Sequence, residues 1–461
     1  MSLTAAIHLM TLYGCASGDS QGVSGTAAET SVAGTVQPAK TTSALAAQEL
    51  SVAAGAAYEL AGGNASKNGE EVLSEKDGQS GIKVSTGGKL TASGLKVVTK
   101  GKTPSETLSL KSGLNAGVLV EASSALELSG SEVLTSGVGA GGVFATGTNA
   151  AVTLSNVKIS TAGTAAPGLS VSANASGMVT SAEVSAEGDR SPALFIGAGG
   201  GTLSLLSGSL SAAGADSPGV RSLGTVNLTG TTVRSAKAEA AVLNGNSTVT
   251  FTGVKAYAGG ENGVRFIRDG DAGRGSATFN MVAGTLDSLS GALFYVEGAS
   301  AAINLNSVTL VNASDTLLTA EAGGNGEAAS DSSGSTAEKT GANATLTMDH
   351  ITAAGDVECD MFSTVTLNLK NGTTYTGAVN NLCSGKEVTV VMDAGSKWVL
   401  TGDSYVTVLT NALMQLTNIR DGGFHIYYDS SNPANSWLEG KTVALSGGGS
   451  ITPDLSRGEL T

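Results

Sequence analysis

One pattern returns along this chain about every two dozen residues and restricts what the chain can fold into. Each unit opens on a small residue and a short apolar run. An alternating strand follows, then a Ser/Thr/Asn/Gly turn, a second short strand and a loop. Units open at Gly117, Gly142, Gly168, Ala193, Gly219, Ala241, Gly263 and Ala292, spaced 25, 26, 25, 26, 22, 22 and 29 residues apart (117→142→168→193→219→241→263→292). A repeat of this size signals stacked coils, in which no unit buries its apolar face without a neighbour.

Within each unit the apolar residues recur every second position and are mostly Val, Leu, Ile, Thr and Phe, which argues for strands over helices. Short strands in coils that lie one on another predict an all-β, right-handed parallel β-helix with a C-terminal cap, of about 12–14 coils at roughly 25 residues each. Leucine-rich repeats need Leu at fixed offsets and an Asn ladder not evident here. Propeller blades need longer units and recurrent aromatics, against 4% aromatic residues in this chain. Charged residues are only 14% and the 65 glycines suit tight turns, so the outer surface is expected to be Ser, Thr, Asn and Ala.

The second strands align into a column of Val97, Val133, Val157, Val184, Leu210, Val233, Val254, Leu286, Val308 and Ile351, read as core. The preceding residues, Lys96, Glu132, Asn156, Glu183, Ser209, Thr232, Gly253, Thr285, Ser307 and His350, are polar or small and are read as the outer side of a turn. The first strands add a second interior row, such as Leu126 and Leu128, Val152 and Leu154, and Leu203 and Leu205. Residues 1–42 are unpatterned and read as a flexible tether. Coils fill 43–386, with a polar low-complexity insertion at 321–341, and residues 387–461 form terminal coils and a cap, because Trp398, Tyr405, Phe424, Tyr427, Tyr428 and Trp437 cluster there.

Gly395-Ser396-Lys397-Trp398-Val399-Leu400-Thr401-Gly402-Asp403-Ser404-Tyr405-Val406 resembles a stretch of secreted bacterial β-helix adhesins. Tyr427-Tyr428-Asp429, Ala434-Asn435-Ser436 and Gly440-Lys441-Thr442 are similar to their closing segment. Autotransporter passenger domains of the pertactin type share a related pattern. The resemblance covers Glu387–Pro453 and implies an exported, surface-exposed or extracellular adhesin-like β-helix. It carries over no catalytic residue, since the motif is structural.

The net charge of −14, with Lys and Arg scattered singly, argues against nucleic-acid binding. No apolar run approaches a helical membrane span. Leu12-Tyr13-Gly14-Cys15 has two readings: a lipobox-like site that lipidates Cys15, the one expected tie to a membrane, or an ordinary Cys in a short helix. Cys359 and Cys383 are 24 residues apart (383 − 359), about one coil, which is compatible with a disulfide between stacked coils or with two separate thiols.

Two functions fit such a rod, and the fold alone does not choose between them. The first is non-catalytic binding of a glycan or protein on a host or neighbouring cell surface, or in a matrix. The alternative is a polysaccharide lyase or glycoside hydrolase. Glu132 and Glu183, two coils apart at roughly 9.6 Å, have a spacing tolerable for an inverting glycosidase. They stand among Ser and Ala with no aromatic to stack a sugar, so solvated surface glutamates are the better reading. Arg265, Arg268, Asp269, Asp271 and Arg274 form the densest charged segment and are read as a projecting ligand loop, the carboxylates paired with the arginines. His8, His350 and His425 form no triad signal, and no spacing calls for a cofactor or metal.

Overall fold

Alternation decides which way each side chain points, and stacking then decides which side chains meet. The computed structural model describes residues 55–268, 275–323 and 339–454. They form an all-β parallel β-helix of about 15 turns with 3% helix. The count exceeds that expected from the sequence because stacking continues into the terminal segment, where Glu387–Met392 pairs with Thr364–Lys370 on one side and Val408–Asn411 on the other.

Three faces make up a turn. The first is a 12-stranded parallel sheet running from Ala56–Ala61 to Asp356–Cys359. The second and third come from the two halves of longer strands. In Ala151–Thr161, the first half pairs with Ala125–Ser129 and the second with Glu132–Thr135. This strand turns its corner at Asn156, where φ is +52°. The same place in other coils holds Gly130, Ser181, Ser207, Gly230, Gly253, Ala283, Ser307 and His350, all with φ between +52° and +61°. A left-handed residue without a glycine costs roughly 1–2 kcal/mol, which the ladders on either side offset.

This corner corrects the two columns read from the sequence. Val97, Val133, Val184, Leu210, Val233 and Leu286 do stack, but the coils between contribute Ile159 and Ala256. Val157, Val254, Val308 and Ile351 stand directly after the corner and are also buried. A slip of two residues preserves inward direction, so both sets satisfy the alternation. The preceding residues divide accordingly. Asn156, Gly253, Ser307 and His350 turn the corner, while Lys96, Glu132, Glu183 and Thr285 lie on the outer third face.

The small residue that opens each unit has a packing cause. A Cβ on Gly142 would lie 2.3 Å from Ile159 Cγ2 and 2.3 Å from the Gly168 carbonyl oxygen. Gly117, Gly142, Gly168, Ala193 and Gly219 stack in register, followed by Ala240 and, after Gly263, Leu293, one residue away from the Ala241 and Ala292 expected. The second-face interior row stacks as read, for example Leu126 on Val152 and Leu203 on Val226. Each buried aliphatic side chain contributes about 1.5–3 kcal/mol before entropy.

Two additions complete the rod. Helix α1 (Glu106–Ser112), capped by Ser105 and Gly113, enlarges one coil. Leu119 and Phe144 point outward from the first sheet yet are buried in a cluster with Ala116, beside the α1 cap Gly113. At the C-terminal end, Tyr375, Trp398 and Tyr428 are fully buried, so these aromatics fill the core of the last turns. The covering itself comes from a 3-10 helix, Pro433–Leu438, and from Val443–Ala444, which pairs antiparallel with Ser450–Pro453.

Candidate ligand-binding site

The outer side of the second face carries a polar lattice. Thr202, Thr225, Thr248, Thr278, Ala302, Thr345, Thr366 and Thr389 stack in one outward column. Two residues along each strand, Ser204, Asn227, Thr250, Asn280, Asn304, Thr347 and Asn368 form a second. At ~4.8 Å per coil the first column runs about 34 Å. Neither column contains a charge. Neighbouring rungs hydrogen-bond: Asn227 Nδ2 donates to Ser204 Oγ (3.4 Å), Asn280 Nδ2 to Thr250 Oγ1 (3.4 Å), Asn304 Nδ2 to Asn280 Oδ1 (3.0 Å) and Asn368 Nδ2 to Thr347 Oγ1 (3.3 Å). The sequence signal was present as Thr-x-Asn and Thr-x-Thr pairs on inward-alternating strands, but a search for charge and aromatics passes over it.

The first sheet's outer surface is chemically different. Arg265 belongs to the strand Val264–Ile267, and not to a projecting loop, because Val264 and Phe266 on either side of it are buried. Its guanidinium meets Glu297 at 2.6 Å and lies 5.7 Å from the Tyr295 ring centre. Tyr295 donates its hydroxyl to Glu321. Burial, and then the Glu321 carboxylate, push the Tyr295 hydroxyl well above the usual range. Burial and the neighbouring Asp356 also raise the Glu358 carboxyl. Glu297 and Glu321 are register partners one coil apart, but each already holds a partner, Arg265 or Tyr295. Asp269, Asp271 and Arg274 lie outside the described residues.

Arg268 lines a groove of about 600 Å³ at the edge where the first sheet passes to the second face. Asn246, Ser276, Ser300, Lys339 and Thr340 line it with glycines between them. Arg268 Nη1 donates to Thr340 Oγ1 at 3.1 Å, and the Lys339 ammonium lies 5.6 Å from the Phe362 ring centre. Among the described residues neither cation makes an ion pair.

Glu132 and Glu183 do not form a carboxylate pair. Lys158, not Asn156, is the register partner of both. Cys359 and Cys383 are not bridged, because Val357 pairs with Val379, a step of 22 residues (379 − 357), and Cys383 therefore overshoots the stacked position by two. The Cys359 Sγ donates to the Ser363 carbonyl at 3.1 Å, and the Cys383 sulfur lies 3.9 Å from Asp454 Oδ2. Cys15 and His8 fall outside the described residues. His350 turns a corner beside Asp349 (3.0 Å), and His425 Nδ1 bonds Ser450 Oγ (2.9 Å) in the terminal turns. Among the described residues no group of His, Cys, Asp and Glu side chains is placed to hold a metal, and no helix is long and apolar enough to cross a membrane.

No protein-family model matches this chain, and none of the curated proteins matches its sequence.

Proposed function

We propose that this protein is a non-catalytic binding rod, adhesin-like and exported to a cell surface or beyond it, whose second face engages a glycan or protein of a host or neighbouring cell or matrix. The observation that carries this reading is the uncharged Thr/Asn lattice shared by consecutive coils. A single neutral hydrogen bond nets only about 1 kcal/mol, so recognition requires many rungs engaged together. Hydrogen bonds between rungs already hold the side chains, which lowers the ordering cost on binding. The C-terminal resemblance to secreted β-helix adhesins points the same way.

A second reading, a polysaccharide lyase or hydrolase, draws on Tyr295, Glu321 and the raised Glu358 carboxyl on the first sheet. Glycan-array binding measured in parallel with reducing-sugar and unsaturated-uronide release separates the two. Binding without turnover is expected. Turnover on any glycan, abolished by Glu321→Gln or Glu358→Gln, overturns the non-catalytic reading.

A further inference from the structure

The groove at Arg268 and the neutral lattice are one continuous surface. Ser276 and Ser300, which line the groove, are register partners on the second face. They stand two residues before Thr278 and Ala302 of the lattice, on the same strands and pointing the same way. A polymer lying across those coils therefore passes directly over Arg268 and Lys339. The two cations reach this groove from different coils, Arg268 after Val264–Ile267 and Lys339 before Asn343–Asp349. Elsewhere on the described chain many cations are matched with acids, as in Lys83–Glu121, Lys100–Glu75, Arg190–Glu106 and Arg265–Glu297. In a chain of net charge −14, this groove gathers two cations from different coils, with no acidic side chain among its described lining residues.

We propose that this groove binds the anionic group of an acidic glycan, a sugar carrying carboxylate or sulfate, whose chain continues along the second-face lattice. The inference rests on the binding reading above and adds a ligand class to it. Arg supplies a planar fork for a carboxylate or sulfate and Lys a point charge. Asn246, Ser276, Ser300 and Thr340 supply neutral donors and acceptors for sugar hydroxyls at the same place. The volume lies in the usual range for a small-ligand site.

The test uses the full chain in calorimetry or biolayer interferometry against polygalacturonate and chondroitin sulfate. Methyl-esterified polygalacturonate and desulfated chondroitin serve as neutral counterparts. The acidic forms should bind about tenfold more tightly than the neutral forms at low salt, and the margin should shrink as salt rises. Arg268→Gln with Lys339→Gln should erase that margin and leave neutral binding unchanged, while Arg268→Lys with Lys339→Arg should retain most of it. Thermal melting confirms that each variant folds. Equal binding of acidic and neutral forms, or a margin the double variant leaves intact, overturns the groove proposal and leaves the lattice reading standing. Failure to bind either polymer in any form also overturns the groove proposal, and leaves a protein as the ligand of the lattice.

Discussion

Lys158 lies in register between Glu132 and Glu183, one coil from each, on the outer third face. The column extends to Lys96 and Glu71 on the N-terminal side, so charge alternates Glu71, Lys96, Glu132, Lys158, Glu183. A coil that slips by two residues along its strands keeps its inward side chains but parts these opposite charges. The alternating column therefore works as a register device for coils whose inward residues are near-interchangeable aliphatics. It also explains why these glutamates are poor catalytic candidates, since a cation separates them. Replacing Lys158→Glu should place three like charges in succession and lower stability by about 0.5–1 kcal/mol. Glu132→Lys together with Lys158→Glu should recover part of that loss, as read by urea melts. An additive double variant would contradict the coupling.

Close approach between faces makes the opening glycines sensitive to a single methyl. Gly142→Ala sets its Cβ against Ile159 and the Gly168 carbonyl, both at 2.3 Å before relaxation. The expected cost is roughly 1–3 kcal/mol. Gly130→Ala, at an outer corner where nothing lies within 4 Å, suffers only its left-handed φ of +52°. Differential scanning calorimetry should rank Gly142→Ala as the more destabilising of the two.

A buried carboxylate anchors the turn that precedes the last strand of the C-terminal covering. Asp421 accepts backbone N–H bonds from Gly449 (2.6 Å), Gly447 (2.8 Å) and Gly423 (3.2 Å). Burial alone would raise its carboxyl, but these donors prevail and hold it below the ordinary carboxylate range. Because the folded group titrates below the unfolded one, its stabilisation is complete above about pH 4. It is lost as pH falls through the folded value. Hydrogen exchange at residues 443–453 should therefore be faster in Asp421→Asn at neutral pH, and the difference should vanish in strong acid. Equal protection at neutral pH would remove Asp421 from this role.

The fold was legible because period-two alternation and a small residue every 22–29 positions leave few alternatives to stacked strands. The register was less so. Val157 and Ile159 both point inward, and the left-handed corner at Asn156 leaves Ile159, not Val157, in register with Val133 and Val184. Helix α1 interrupts a β pattern, and its signal was the short run Pro104-Ser105-Glu106, a cap followed by an acid in the first turn. Arg265 was legible as charged, but its partners Tyr295 and Glu297 are brought to it by stacking across 30 residues or more (295 − 265). The lattice escaped notice because Thr and Asn are ordinary surface residues, and only their repetition at one outward position is informative.

The most direct test is the binding of the full chain to an immobilised glycan that scores on the array, compared with Thr250→Glu/Asn280→Glu. These register partners lie near the middle of the lattice, on the exterior of the coil. The variant should keep its melting temperature within a few degrees and lose at least about tenfold in affinity, because charge and bulk lift the ligand from adjacent rungs at once. Undiminished binding by a folded double variant would show that the second face is not the surface this rod presents.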